Sequence, residues 1–530
     1  MVDYANNLIA LVRGPIVVVD NSFGSGASQS VQAVPAIGLA YITSYLRKKG
    51  YEVVFIDGTG EGLDSQYPLQ DYPGFSSQGL QLGEIISRIP KQVKVIGFSG
   101  MFSGEWPVMR DLISQTRESF PEALLVAGGE HITALTEYSL RDCPALDIAV
   151  RGEGEHTFYK LLEAYLGTGS FSDVPAIAYL DTKGQYQQNG NKTPRLKSID
   201  DLSWPAWPDN YLEKFWEAGK SYVTHTERDM PFLLSRGCPF QCTFCSNPLM
   251  WTTKYQFRDL DDAMEEIKYY IKRYNITSIQ LYDLTAIIKK SWVMDFTQRM
   301  IDENIKIKWS LPSGTRSEVL DKDVLMRLKE TNCNYLVYAP ESGSQSTLKK
   351  IKKRVKLPRL TASALEAKRQ GLIIRINLII GFPHETWREI IQTLLYGLKL
   401  SFRGVDEIAL FLFSPYPGTE IFNELMEADK IKLNDDYFFE LVIRNSEYIS
   451  ADALTFNDNV NGKMLGLARS FFIMFYYFIG YFMHPSRIIR TISNIYTGKV
   501  ASTVFEHRLT ELFNRRNGSN NIKGLGDSSQ

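Results

Sequence analysis

The hydrophobic positions of the first 165 residues fall into short, almost uninterrupted runs: PIVVVD (15–20), YEVVFID (51–57), VKVIGFSG (93–100), ALLVAGG (123–129) and DIAVRGE (147–153). They lack the alternation of a half-exposed strand, which is the pattern of parallel strands covered on both faces. Between them lie stretches of helical period, and AIGLAYITSYLRKKG (36–50) closes on basic residues and a glycine, as helices do. Five strands with helical crossovers predict an α/β, doubly wound, flavodoxin-like sheet over residues 1–165. Ligands of such sheets sit beyond the carboxyl ends of the strands. Here those ends read DNSFGSG, SGMFSG, GGEH and RGEGE, rich in Gly and Ser, so the pattern points to a binding platform.

Residues 166–230 are rich in Gly, Pro, Trp and polar residues without a sustained period, SWPAWPDNY (203–211) being the clearest case, and read as a linker packed across the domain junction. From 231 to 430 the alternation resumes in PFLLSRG, SIQLYDL (278–284), IKWSLPSG (307–314), YLVYAPESG (335–343), IIRINLIIGFP (373–383) and IALFLFSPYPGT (408–419). Six strands, each followed by a helix-like segment, predict a partial (β/α)6 barrel with its chemistry at the strand carboxyl ends. Residues 431–530 read as a helical, aromatic region with a disordered tail, NGSNNIKGLGDSSQ. Within it SFFIMFYYFIGYFM (470–483) is uncharged but shorter than the roughly 20 residues a bilayer span needs, and is expected to be a buried or interfacial helix.

Composition narrows the field only a little. A chain of 530 residues suggests roughly two to four domains. A net charge of -1 offers no field for a polyanion, so nucleic acid is not expected as a partner. The first twenty residues lack the pattern of a signal peptide. Five cysteines without paired spacing make no disulfide framework and fit a reducing cytoplasm.

Three of those five, Cys238, Cys242 and Cys245, stand within eight positions in SRGCPFQCTFCSNP (235–248). Tetrahedral zinc requires a fourth ligand, and the nearest histidine, His225, lies in a different segment. A redox pair needs only two cysteines. A 4Fe–4S cluster held by three thiolates, with one iron left open, fits the spacing better, although zinc remains an alternative.

The C-x3-C-x2-C arrangement, with Phe244 before its last cysteine, resembles the signature of radical S-adenosylmethionine (SAM) enzymes. YAPESGSQSTLKKIKK (338–353), IIGFPHET (379–386), SPYPGT (414–419), LYDLT (281–285) and SGTRSE (313–318) follow that family's motifs in order. The resemblance implies that the open iron binds the amino and carboxylate groups of SAM. It implies SAM contacts at Phe244, Asp283 (amino group), Glu341 (ribose hydroxyls or amino group), Arg316 (carboxylate), Asn377 (ribose) and Gly381 (adenine).

Residues 15–165 resemble the cobalamin-binding domain found ahead of many radical SAM cores, through AVPAIGLAYITSYLRKKGYEVVFID (33–57), VAGGEHITAL (126–135) and AVRGEGEHTFYKLL (149–162). The implied contact surface is Ser99, Gly100, Met101, Gly128, Gly129, His131, Gly152 and Glu153. Cobalamin domains that donate a histidine to cobalt carry D-x-H-x-x-G after the first strand. DNSFGSG (20–26) has Ser22 and Ser25 instead, and His131 is a substitute to be weighed against a loop histidine satisfied by other groups.

Together these resemblances imply a cobalamin-dependent radical SAM methyltransferase. SAM cleavage would yield a deoxyadenosyl radical that activates a carbon, and methylcobalamin would supply the methyl group. The expected partners are a small-molecule substrate, large and apolar if the aromatic stretch faces the site, and an electron donor such as flavodoxin or ferredoxin. Peripheral membrane contact is not the favoured expectation. The alternative keeps the domains but not the methyl transfer, as in the anaerobic magnesium-porphyrin monomethyl ester cyclase group and ring-rearranging enzymes. A cluster-containing cobalamin sensor is a third reading. The linker and C-terminal segment are expected to close over the barrel and keep water from a radical.

Overall fold

The computed structural model describes residues 7–20, 33–167, 169–190, 195–220, 228–445, 455–497, 503 and 506. His225, the 21–26 part of DNSFGSG and the tail from 517 lie outside the described residues. The N-terminal sheet has seven strands. Its five parallel ones, Leu8–Arg13, Glu52–Asp57, Val95–Ser99, Leu124–Gly128 and Ile148–Val150, stand in the spatial order 2-1-3-4-5, which is the flavodoxin-like order. Leu8–Arg13 lies inside the sheet between Glu52–Asp57 and Val95–Ser99, with Ile9 opposite both Val53 and Val95.

Two expectations need correction here. PIVVVD is not the first strand of this sheet: Leu8–Arg13 takes that place, and Ile16–Val19 pairs antiparallel with Phe75–Gln78 in a separate three-stranded sheet. Gly14 and Pro15 break the apolar run, so the chain turns and its two halves join different sheets. The stretch expected to be a linker also contributes structure. Ile177–Leu180 and Tyr186–Gln188 form a hairpin that extends the main sheet antiparallel to Ile148–Val150.

The second unit is the expected six-stranded parallel barrel sheet, with Asp229–Phe232, Ser278–Leu281, Lys308–Thr315, Cys333–Glu341, Ile373–Ile380 and Glu407–Leu412 in consecutive order. Its first and last strands do not pair with each other among the described residues, so the barrel is open. In the fifth strand Ile374, Ile376, Leu378 and Ile380 are sealed under helices, while Ile373, Arg375, Asn377 and Ile379 face the less crowded interior. Deep in that interior Tyr335 donates to Glu407 at 2.6 Å, and Arg375 lies opposite Glu407, which plugs the barrel with a polar cluster.

Of the C-terminal helices, Asp435–Asn445 lies between the two units. Phe438 meets His131 edge-on, Asp435 pairs with Arg110 at 2.8 Å, and Arg444 donates to the Phe413 carbonyl at 3.1 Å. The aromatic stretch belongs to a longer helix, Gly462–Met483, packed along the barrel helix Trp387–Phe402. Only one side of it is core: Phe472 and Tyr476 are buried, whereas Phe471, Phe475 and Phe478 are exposed, so it is neither a wholly buried helix nor a lining of the site.

Close approach of these two helices depends on Gly397, where a Cβ would stand 2.6 Å from Phe472 Cζ and 2.9 Å from Ile408 Cδ1. Gly397→Val therefore overpacks the contact by about 1–3 kcal/mol. Amide hydrogen exchange across Gly462–Met483 is expected to accelerate; exchange equal to wild type would contradict this packing.

Candidate active site at the cysteine loop

The loop begins where the chain leaves the first barrel strand. Asp283, at the end of the second strand, accepts the Leu234 amide on both carboxylate oxygens at 3.1 Å and the Ser235 hydroxyl on Oδ1. Cys238 is buried and its sulfur accepts the Thr285 hydroxyl at 3.6 Å. The Cys245 amide donates to the Cys242 carbonyl at 3.2 Å, which tightens the turn. Thr243 pins it to the two later motifs, with its amide on the Ile351 carbonyl and its carbonyl under the Ile421 amide. No three Cys, His, Asp or Glu among the described residues group closely enough to hold a single ion. Burial pushes the Cys242 thiol up and the Cys245 thiol up to about 12, with Lys353 opposing the shift at Cys242. Cys242 and Cys245 are half-buried and keep their protons at neutral pH unless a cationic centre displaces them, and three soft donors on one tight loop fit an iron–sulfur cluster.

Around the cysteines stand several of the residues singled out from sequence. Glu341 ends the fourth strand with φ +67, a left-handed backbone that side chains seldom adopt, and pairs with Lys353 at 2.9 Å. Lys353 in turn lies 6.0 Å from the Phe244 ring centre, and Phe244 meets Phe382 edge-on at 5.8 Å. Arg316 stacks on Phe240 of the loop at 3.8 Å and donates to Glu318 at 2.8 Å and to the Arg354 carbonyl at 2.7 Å. Asn377 accepts from Arg375 at 3.2 Å on the barrel interior.

Two of the expected roles do not match this geometry. The Asp283 carboxylate, pushed up to about 6 by burial, is occupied in anchoring the loop. At Gly381 (φ +86) a Cβ would come 2.6 Å from Leu465 Cδ2, so the glycine makes room for the C-terminal helix. Beside it Glu385, fully buried, accepts the Gly381 amide at 2.8 Å, the Phe382 amide at 3.1 Å and the Thr347 hydroxyl at 3.0 Å.

On the N-terminal sheet Ser99 ends the third parallel strand and Gly100 and Met101 follow it, at the switch point beside Leu8–Arg13. The Gly100 amide donates to the Gly128 carbonyl at 2.7 Å, and Gly129 (φ +118) would place a Cβ 2.5 Å from Gly100 O. Gly152 (φ +73) donates to Thr133 at 2.9 Å. These glycines keep the strand ends low, and Met101 and Phe102 remain exposed beside them (36% and 55%). A low shelf with apolar side chains in the open suits a broad ring system such as a corrin.

His131 and Glu153 do not belong to that shelf. His131 is 1% exposed and stacks on Trp106. Its Nδ1 lies 3.0 Å from Ser103 Oγ and its Nε2 3.3 Å from Ser139 Oγ, so neither nitrogen is left for cobalt. Burial lowers its pKa to about 3. Glu153 is turned towards the barrel, pairing with Arg195 at 2.9 Å and with Arg236 at 3.4 Å, while Arg236 also pairs with Glu155 at 2.8 Å.

Arg236, two residues before Cys238, and Glu155 were not singled out from sequence; nor were Lys353 and Phe240. For Arg236 and Glu155 the signal was present in the two acids of RGEGE and the basic residue of SRGC. A second contact reinforces this one: Ser246 donates to Glu130, and Leu249 sits against Ala134 across Gly418. The strand ends of the first unit therefore abut the cysteine loop of the second.

Replacing Arg236 with Leu strands Glu155 in a dry interface and is expected to cost about 3–5 kcal/mol, seen as a lower thermal midpoint and partly recovered by a second Glu155→Leu change. An unchanged midpoint would contradict the role given to this pair. For Glu385 burial pushes the carboxyl up to about 7. Its stabilising contribution is complete below the usual value near ~4.3 and is lost as pH rises through the folded value. Glu385→Gln keeps an acceptor for the two turn amides. It should therefore gain on wild type by roughly 2 kcal/mol between about pH 5 and 8 in chemical denaturation; parallel pH profiles would refute this.

Two family models match the chain: a B12 binding domain over residues 27–162 and the Radical SAM superfamily over residues 232–396. An uncharacterized methyltransferase of Pyrococcus horikoshii is 28% identical over 396 residues, covering 73% of this chain and 77% of that protein. The cytidylyl-2-hydroxyethylphosphonate methyltransferase of Streptomyces wedmorensis is also 28% identical, over 418 residues, with 73% and 77% covered. In fold, the chain is similar to the radical SAM methyltransferase TsrM of Kitasatospora setae (TM-score 0.59, 15% identity, 80% of this chain and 76% of that one). The matched domains take a 4Fe–4S cluster, SAM and cobalamin as cofactors. The chain is an enzyme, and it belongs to the radical SAM enzymes that carry a B12-binding domain ahead of the radical SAM core.

Proposed function

We propose that this enzyme transfers a methyl group from cobalamin to an unactivated carbon of a small-molecule biosynthetic intermediate. The observation that carries the proposal is the junction of Glu130 with Ser246 and of Glu153 and Glu155 with Arg236, which sets the corrin shelf beside the cysteine loop. A substrate between the two can then be reached from both sides. The names of the methyltransferase relatives support this reading. When bound, the cluster and SAM supply hydrogen-atom abstraction and cobalamin supplies the methyl group.

The protein's own contribution is positioning and exclusion of water. Cys238, Cys242 and Cys245 would hold the cluster, which would then bind SAM. Glu341, held by Lys353, would accept hydrogen bonds from the amino or ribose groups, and the planar fork of Arg316 would suit the carboxylate. Phe244 packs beside the cluster and Asn377 reaches the ribose from the barrel interior. Ser99, Gly100, Met101, Gly128, Gly129 and Gly152 form the corrin shelf. The helix Asp435–Asn445 closes the junction against water. Electrons come from a flavodoxin or ferredoxin in the cytoplasm.

Anaerobic reconstitution with iron, sulfide, cobalamin and SAM tests the reading. Cys242→Ala is expected to lose the cluster absorbance and to reduce 5'-deoxyadenosine release to background. Glu341→Gln should keep the cluster and weaken SAM binding about tenfold, the value of one charge-assisted hydrogen bond. Iron retained in full by Cys242→Ala would sink the cluster assignment. A product lacking the added CH2 would exchange methyl transfer for cyclisation or rearrangement.

A further inference from the structure

A helix on the surface of a folded protein normally turns its apolar side inward and its polar side to water. Gly462–Met483 turns apolar residues both ways. Its inward side, Leu465, Phe472, Tyr476 and Gly480, is fastened to the barrel, with Ser401 donating to the Tyr476 carbonyl and Tyr476 donating to the Val405 carbonyl at 2.9 Å. The outward side repeats every three or four residues as Met464, Leu467, Phe471, Met474, Phe478 and Phe482, with Phe478 64% and Phe482 74% exposed. At 1.5 Å per residue this stripe runs about 27 Å. It continues onto its neighbours through Leu395 and Phe402 of the helix Trp387–Phe402 and Ile489 of the helix Ser486–Thr497, the last 71% exposed.

By length and composition Gly462–Met483 qualifies to cross a bilayer. Its fastened side, with Arg469 buried, holds it flat against the barrel instead. Charge identifies what covers the outer side. The fully exposed charged residues along these three helices, Arg388, Lys399, Arg403 at the helix end, and Lys463, are basic, in a chain of net charge -1, while the one acid, Glu389, is half-buried and taken up in the helix cap, accepting the Thr386 amide at 2.9 Å. Lys399 and Arg403 also line a groove of about 440 Å³ with Arg369, Leu357, Leu365 and Tyr396. Apolar side chains flanked by cations, beside a groove that is itself part apolar and part basic, match an anionic phospholipid surface in both its acyl and headgroup layers. A seam between two protein copies would more often carry charges of both signs at its margins.

We propose that the enzyme docks peripherally on anionic membranes through this three-helix face, with Gly462–Met483 lying in the plane of the interface. Docking is independent of the methyl-transfer reading, because none of these residues touches the cysteine loop or the corrin shelf.

Flotation of the full-length protein with vesicles tests it. Wild type is expected to float with phosphatidylcholine–phosphatidylglycerol vesicles, less so as salt rises, and to stay behind with phosphatidylcholine alone. Phe471→Glu/Phe478→Glu should abolish flotation, and Lys399→Glu/Arg403→Glu should weaken it at least about tenfold, both at an unchanged thermal midpoint. The proposal is overturned if wild type ignores the anionic vesicles or if Phe471→Glu/Phe478→Glu binds them as wild type does. A dimer in light scattering that Phe471→Glu/Phe478→Glu dissolves, without vesicle binding, would overturn it in favour of a second copy.

Discussion

The arrangement of both candidate sites depends on a buried ionic knot. Arg236 leaves the first barrel strand and enters a pocket with Glu153 and Glu155, which open the helix after the last parallel strand of the N-terminal sheet. Tyr41 and Trp251 cover the guanidinium. A charge so placed is tolerable only while its partners remain, so the two units cannot part without exposing or stranding it. Cys238 follows two residues later. The same peptide that fastens the domains thus begins the cysteine loop, and the distance between corrin shelf and cluster follows from that linkage.

Several polar residues near the site act as braces. Asp283 holds the start of the loop, Glu385 holds the turn at Gly381, and His131 fills the space between Trp106 and Phe438. Each is a buried group with its hydrogen-bonding capacity taken up by protein, which is how such groups escape the cost of desolvation. Glu341 differs: it is an almost buried carboxylate on a left-handed backbone, paired with a single lysine, and unfavourable backbone of this kind concentrates where function requires a side chain to be aimed.

Much of this was legible beforehand. The six barrel strands were readable because runs of four to nine β-prone residues recur between helical segments, and the cysteines because three thiols in eight positions have few other uses. The first strand of the N-terminal sheet was not. LIALVR and IVVV are equally strand-like, and only pairing decides that one lies inside the main sheet and the other joins Phe75–Gln78. The hairpin 177–188 was hidden for a similar reason: short edge strands such as YQQ carry little apolar signal.

What the chain's own order determined was the identity of the elements and of the chemistry: strand and helix periods, the thiol spacing, the Gly-rich strand ends. These are local properties, written within a few residues of each other. Tertiary structure decided which polar residues face a ligand and which are consumed by the protein, as at Glu153, His131 and Asp283, and which side of the aromatic helix meets water. Those outcomes depend on partners far away in the chain, and hydrogen-bonding capacity, once taken by such a partner, is no longer available to a cofactor.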